Sequence, residues 1–595
     1  MSRYRIRVAV SLALIAGPSF GVACTRGTGP QSLAPMSGKR VEGSRGMVSA
    51  SHPDAANAGA EALRMGGNAI DAAVATGFAL SVVDVSQTGL GGGGALTFYD
   101  AKARRADHLS FYPRAGEDAA WGRADTASTR RQGRGAAVPG MVAGLLEAHS
   151  RWGRLTRAQA LAPAIRLARE GFIVSPLLAR TIASSAQKLG LDTAASARFL
   201  PGGQGLRPGD RLVQPELAST LMRIAAEGRD AFYTGPIAEG LSTKTRGLGG
   251  LITVRDLSSY SVVSMRPLCA AWRGYTVMSA PPPLGGASVL EMLQMADVSG
   301  VGELRGFTEQ PEAVAKLADI LRIGGADGGR WRGDPAVQPI PARGMSSAGY
   351  ARQRAGLVAG VFPDTAIAGD PWAFDSSAAP GACGALDPYP ASTRPARGAA
   401  APGSPERDVE PFDAAENTGF TSHMSVVDAD GNAVSATTTV GVLFGSGVYT
   451  GGFFLNSAGG NFDARTRGTN RSANSTMSPT MILDRGKVRL VVGAAGSQYI
   501  QPSIVQVTLR MLAFGEDPAT ALAGPRIYAS ASSRDVEVEP GFAQTVYQAL
   551  VTRGYRPLSR VADISFGGVH AVFVRPDGRR IGVADPRRDG AAAGN

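Results

Sequence analysis

The sequence predicts an α+β fold, and three observations carry that prediction. Residues 155 to 245 read as mostly helical, as in Gln159 to Glu170 and Leu217 to Glu227. After residue 420 the pattern changes to short alternating runs joined by turn residues, which reads as strands. Between the two lies a stretch from about 366 to 410, rich in Ala, Pro, Gly, Ser and Asp and without periodicity, which predicts a flexible linker running up to residue 420. A helix-rich front followed by a strand-rich back is the α+β pattern.

Composition sets the outer bounds. At 595 residues, with 44% hydrophobic and 18% charged residues, the chain can bury a large core and is not of disordered type. The net charge of +12 rests almost wholly on Arg, because Lys occurs only at 39, 102, 188, 244, 316 and 487. No basic run is interleaved with aromatic residues, so the charge reads as solvated surface and no nucleic-acid partner is expected.

At the N-terminus, Arg3, Arg5 and Arg7 precede a short apolar run from Val8 to Ala16 and the small residues Gly21 and Ala23. This is the pattern of an export signal over residues 1–24, too short to span a bilayer, which takes about 20 apolar residues. Gly21-Val22-Ala23-Cys24 is similar to a lipobox, although Gly21 stands where Leu is usual. Two readings fit: lipidation of Cys24 with a membrane anchor, or ordinary cleavage after Ala23 with release to the periplasm or beyond. Cys269 and Cys383 are too few for a disulfide framework and are read as two unrelated buried thiols. The five His residues are scattered, with no H-E-x-x-H and no C-x-x-C, so no metal and no cofactor is expected.

Along the front part, Asp54 to Leu63 reads as an Ala-rich helix stopped at Gly66-Gly67, and Asn68 as the N-cap of a second helix from about Ala69 to Val83. Gly89 to Gly94 formally matches G-x-G-x-x-G. A helix precedes it and the strand-like Ala95 to Tyr99 follows, the reverse of the order a dinucleotide site needs. In the back part, Ser422 to Asp428 and Ala433 to Val440 form a hairpin around Asp430-Gly431. Met481 to Leu483 and Lys487 to Val492 form another around Asp484-Arg485-Gly486, and a last one turns at Pro576-Asp577-Gly578.

Thr421 opens the first of these strands directly after the linker. A Thr hydroxyl is a weak nucleophile at neutral pH unless a base activates it, and its own α-amine can serve once Thr421 is an N-terminus. A cut between Phe420 and Thr421 would create that arrangement. A Thr at a strand start is common, so this position alone argues little.

Several co-ordered stretches raise it. Gly46-Met47-Val48, His52-Pro53, Gly66 to Ala73, Gly89 to Gly94, Gly274 to Val277 with Pro281-Pro282-Pro283 and Gly285-Gly286, Thr421 to Asp428, Ser475 to Thr480 and Asp585 to Gly590 follow one another in order. Together they resemble the gamma-glutamyltransferase (glutathione hydrolase) family of N-terminal-nucleophile hydrolases, from about residue 46 to the end and more weakly between about 320 and 415.

The resemblance implies a four-layer αββα sandwich built from a large segment (46–420) and a small one (421–595) of one precursor, paired after self-cleavage before Thr421. It implies Thr421 as nucleophile, with Thr439 bonding and steering its hydroxyl. It places the backbone N–H of Gly496, joined by Ser497, on the oxyanion, a donor worth about 3 kcal/mol. Ser475 and Thr476 would hold the substrate's α-carboxylate.

The chain departs from the family where the glutamyl group is read. Tyr112 falls where the carboxylate-binding Arg is expected, with Arg114 two residues on. Gly441 falls on an Asn, Ala458 on a Gln, and Asn461 or Gly460 on the acid that holds the ammonium. Three functions remain open: a glutathione-type γ-glutamyl hydrolase or transferase acting on a small amide or peptide, a cephalosporin- or glutaryl-acylase-like amidase, and an exported binding protein with little activity.

Overall fold

Turn chemistry fixes the hairpins of the back part. Asp484 pairs with Lys487, so Arg485 and Gly486 alone make the turn, both at positive φ (50° and 79°), the two-residue loop that suits twisted antiparallel strands. In the wider turn after Val427, Asp428 Oδ1 accepts the N–H of Asp430 (2.9 Å) and of Asn432 (3.0 Å). The computed structural model describes residues 39–117, 121, 132–303, 306–360, 364–376, 381–386, 389–394, 420–462 and 469–595. The signal and Cys24 lie outside these residues.

Two seven-stranded antiparallel sheets result. The first runs, in spatial order, Arg40–Gly43, Arg580–Ala584, Gly568–Val574, Lys487–Ala495, Thr480–Asp484, Tyr275–Ser279, Leu268–Trp272. The second runs Ala591–Gly594, Met47–Ala50, Phe420–Val427, Ala433–Gly441, Gly93–Asp100, Arg105–Phe111, Val263–Met265. They pack face to face, and hydroxyls cross between them: Ser49 Oγ donates to Val583 O (2.6 Å) and Ser425 Oγ to His570 O (3.0 Å). Helices Pro53–Arg64, Ala69–Val83 and Met141–Trp152 cover the outer face of the second sheet; Gly286–Val298 and Ile500–Leu512 cover that of the first. The layer order is therefore αββα, as the resemblance implies.

Ala69–Val83 is buried along its whole length; it is apolar nearly all round, and its buried polar residues Asp71, Thr76 and Ser81 are each hydrogen-bonded to the backbone. It starts at the expected cap: Asn68 Oδ1 accepts the N–H of Ile70 and Asp71, and Asp71 returns a carboxylate to Asn68 N–H. It ends at Asp84, under the Phe420–Val427 strand.

Two expectations change and one is extended. The helix-rich front part supplies more strands than Ala95–Tyr99 alone, and four of them, Arg40–Gly43, Met47–Ala50, Gly93–Asp100 and Tyr275–Ser279, pair with back-part strands hundreds of residues away. The 366–420 stretch is anchored where it is described. Ala366 N–H bonds Ala531 O (2.7 Å), Trp372–Asp375 is a helical turn and Tyr389 N–H bonds Pro267 O (3.1 Å); residues 395–419 lie outside the described set. Cys269 and Cys383 are not separate thiols: they form a disulfide, with Cα atoms 5.8 Å apart, that ties this stretch to the edge strand Leu268–Trp272. A separation of 114 residues leaves no local trace of such a pairing.

Candidate active site

Thr421 sits in an irregularity of the hairpin. Phe420 pairs with Gly441 and Ser422 with Thr438, so the register shifts across Thr421. Thr421 is 4% exposed. Opposite it, Thr439 Oγ1 donates to the Phe420 carbonyl oxygen at 2.6 Å and accepts the Gly441 N–H at 2.7 Å. Thr439 was expected to bond the Thr421 hydroxyl. Its proton goes instead to the carbonyl of the peptide bond that precedes Thr421, because the bulge brings that carbonyl within reach.

Gly441 explains one departure from the family pattern. It lies at φ 95°, and a Cβ there would come 2.2 Å from Ser457 Oγ. An Asn at this position would collide with Ser457, which itself accepts the Val442 N–H (3.0 Å).

A buried polar group supports the Thr421 strand from below. Ser422 Oγ donates to Asp84 Oδ2 (2.5 Å), and Gln87 Nε2 donates to Asp84 Oδ1 (2.6 Å). Arg588 donates to Gln87 and to Ile564 O (2.8 Å), and its Nη1 lies 3.5 Å from Thr421 O. Burial pushes the Asp84 carboxyl up to about 7 and nearby Asp589 adds to the rise, against Ser422, Arg588 and Gln87, which favour the ionised form. A raised folded-state value means that folding binds a proton. The contribution is complete below the ordinary value of 3.8 and is lost as pH rises through about 7. Asp84→Asn cannot ionise. Its stability relative to wild type should therefore climb between pH 5 and 7, by at most about 1.4 kcal/mol per pH unit, in paired urea denaturations.

Thr421 and Thr439 open on a cavity of about 310 Å³ whose wall also includes Asn461, Ser475, Thr476 and Ser497. Of the residues singled out in the sequence, these six meet in one place. Gly496, at φ 125°, precedes Ser497 and is not itself among the described lining residues. The Ser475–Thr476 segment is held by the Pro- and Gly-rich loop: Ser475 N–H bonds Pro283 O (3.2 Å) and Gly285 N–H bonds Met477 O (3.0 Å).

Thr476 Oγ1 donates to Ser497 O (2.8 Å), whereas Ser475 Oγ accepts the Met477 N–H (3.2 Å) and keeps its own proton to offer. Ser475, not the pair, is thus the hydroxyl donor available to an anion.

Tyr112 also lines the cavity, its hydroxyl accepting from Asn461 Nδ2 at 3.0 Å. Arg114 does not. It bonds Asn470 O and lines a separate cavity with Asp256 and Tyr260. Sequence reasoning missed Arg332 and Asn474, which are both in the wall.

The chain as a whole is similar to known proteins. A family model described as gamma-glutamyltranspeptidase matches residues 55–595. The glutathione hydrolase proenzyme of Bacillus subtilis (strain 168) is 33% identical, over 93% of this chain and 92% of its own length. The acylase ACY 1 proenzyme of Pseudomonas sp. (strain V22) is 34% identical, over 93% and 94%. The crystal structure of cephalosporin acylase from Bacillus halodurans superposes with a TM-score of 0.79 at 25% identity, covering 95% of this chain and 99% of that one.

Proposed function

The chain belongs to the gamma-glutamyltranspeptidase family, hydrolases of the N-terminal-nucleophile fold, and on that premise we propose that it is a self-cleaving precursor of an N-terminal threonine amidohydrolase. The observation that carries the reading is the 2.6 Å bond from Thr439 to the Phe420 carbonyl. A donor on that oxygen favours attack at its carbon. Thr421 Oγ adds to the carbon, the C–N bond breaks, and the nitrogen takes up a proton as the acyl group passes to Oγ. Water then cleaves the ester, leaving a Phe420 carboxylate and a free Thr421 amine.

That amine is the base for the next reaction. It takes the Thr421 hydroxyl proton as Oγ attacks a substrate amide, the leaving amine departs protonated, and the acyl group passes to water or to another amine. In this role Gly496 and Ser497 supply N–H groups to the oxyanion. The relatives' description as proenzymes supports the cleavage step.

Glutathione-type γ-glutamyl amides and glutaryl-type acyl amides are the two substrate readings. The cavity favours the second, because none of its described lining residues is anionic and a γ-glutamyl ammonium would have no counter-charge. With γ-glutamyl and glutaryl anilides assayed side by side, the glutaryl compound should give the higher kcat/KM, by about 5- to 150-fold, and both activities should vanish in Thr421→Ala. A strong γ-glutamyl preference would return the chain to the glutathione hydrolase reading. Turnover of neither would favour a binding role.

We also propose export. The Arg-led N-terminus and the Cys269–Cys383 disulfide, a bond that persists in oxidising compartments, support it independently. Anchoring at Cys24 is part of this proposal, tested by whether Cys24→Ser moves the protein from membrane to soluble fractions.

A further inference from the structure

A second cavity, of about 290 Å³, lies on the Phe420 side of the bond that precedes Thr421. It shares Val442 with the Thr421 cavity. Thr421 lines one cavity and Phe420 the other, so the Phe420–Thr421 peptide bond joins a residue of each.

Local structure fixes the partition between them. Val442 follows Gly441, the strand partner of Phe420, and its N–H is held by Ser457 Oγ (3.0 Å), a residue of the Thr421 wall. From the other side, the helical turn Ala186–Leu189 supplies Lys188, whose ammonium donates to Leu443 O (2.9 Å) and Gly445 O (3.3 Å) and so pins the loop that carries Val442. Lys244 pairs with Asp192 (2.8 Å), and Asp192 also caps the helix Thr193–Phe199. The charged groups of the described wall are therefore engaged with the protein itself. Beside neutral polar groups, the wall offers a guest the apolar side chains of Leu191, Leu248, Phe420, Val442, Leu443 and Val448. Leu191 and Leu248 are exposed. One exposed leucine means little, but these two border the same cavity, where a bound apolar group would take their surface out of water.

A substrate amide has two arms at the carbon that Thr421 Oγ attacks. The acyl arm has the Thr421 cavity, with the Ser475 hydroxyl in its wall. The amine arm needs a second space reachable from the same carbon. In the uncut chain the carbon in that place is the Phe420 carbonyl, held by Thr439 (2.6 Å), and the Phe420 residue borders the second space. Cleavage makes Phe420 a chain end and frees its place.

We propose that the Phe420 cavity is the subsite for the leaving amine, and that it takes an amine bearing an apolar ring of about the size of the Phe420 side chain. This rests on the Thr421 reading and extends it to the other half of the substrate. The bond changes stay the same: the amide C–N bond breaks, the amine departs with the proton that the Thr421 amine took from the hydroxyl, and the acyl group remains on Oγ. In acyl transfer the acceptor amine enters the same cavity.

The test uses the cleaved enzyme and two glutaryl amides, of 2-phenylethylamine and of propylamine. Both give the same acyl-enzyme, so the ratio of their kcat/KM values reads the amine arm alone. Wild type should prefer the phenylethyl compound by about 10- to 100-fold, the scale of burying one ring. Leu191→Asp and Leu248→Asp, each at an exposed position, should cut that ratio at least about threefold, mainly through KM of the phenylethyl compound, and Leu191→Met should keep it. A ratio taken on one protein is not imitated by partial misfolding. If γ-glutamyl is the acyl group turned over, the same two amines in that series give the ratio. Equal wild-type values for the two amides would overturn the inference, as would a ratio that both Asp variants leave untouched. Faster turnover of phenylacetyl propylamide than of glutaryl propylamide would also overturn it, by putting the ring on the acyl side. Failure of the underlying reading looks different: an uncut chain, or hydrolysis that survives Thr421→Ala.

Discussion

Thr421→Ala is expected to remain a single chain and to lose amide hydrolysis by at least about 10,000-fold, the scale on which removal of a nucleophile acts. The wild-type protein should separate on a denaturing gel into a large fragment ending at Phe420 and a fragment of residues 421–595. On the proposed mechanism both losses in the variant have one cause, since the same oxygen would attack first the Phe420 carbonyl and then the substrate. The fold should survive. Thr421 is 4% exposed in a strand paired on both sides, and Ala removes only a hydroxyl and a methyl group from it. Thr421→Ser keeps the nucleophile and should keep both reactions, more slowly.

The second large effect is expected at Thr439. Val has the same shape and the same strand preference but no hydroxyl. Thr439→Val takes the donor from the Phe420 carbonyl and the acceptor from the Gly441 N–H. Self-cleavage should slow by about 100- to 1,000-fold, the loss seen when one oxyanion donor is removed. The rate at which the 421–595 fragment appears in freshly folded protein measures it. Thr439→Ser should recover most of the rate. A Thr439→Val precursor that cleaves as fast as wild type would show that this bond is structural.

How much of this was legible beforehand follows from the range of the interactions. The Asn68 cap and the turns at Asp430-Gly431 and Asp484-Arg485-Gly486 are local chemistry, and the structure holds them where the residues predict. The sheets are not local. Thr97 lies beside Ser435, and Met47 beside Val427, pairings that no window of sequence contains. The Cys269–Cys383 bond is hidden for the same reason.

Within the site, the motifs located Thr421, Thr439, Ser475 and Thr476, yet not the partners of their hydroxyls. The bulge at Thr421 turns Thr439 to the Phe420 carbonyl, and the loop at Ser497 takes the Thr476 proton. Arg114 was the obvious cation by spacing, but its side chain is engaged at Asn470. Arg332 closes a helix in the stretch of weaker resemblance, and only the fold brings it to the cavity wall.

The central claim is that Thr421 becomes an N-terminal nucleophile, and intact mass spectrometry during turnover tests it most directly. The small fragment should have the mass of residues 421–595 and, with a slowly hydrolysed glutaryl ester, should gain one acyl group that maps to Thr421. An uncut chain that still hydrolyses amides, or an acyl group on any other residue, would contradict the account.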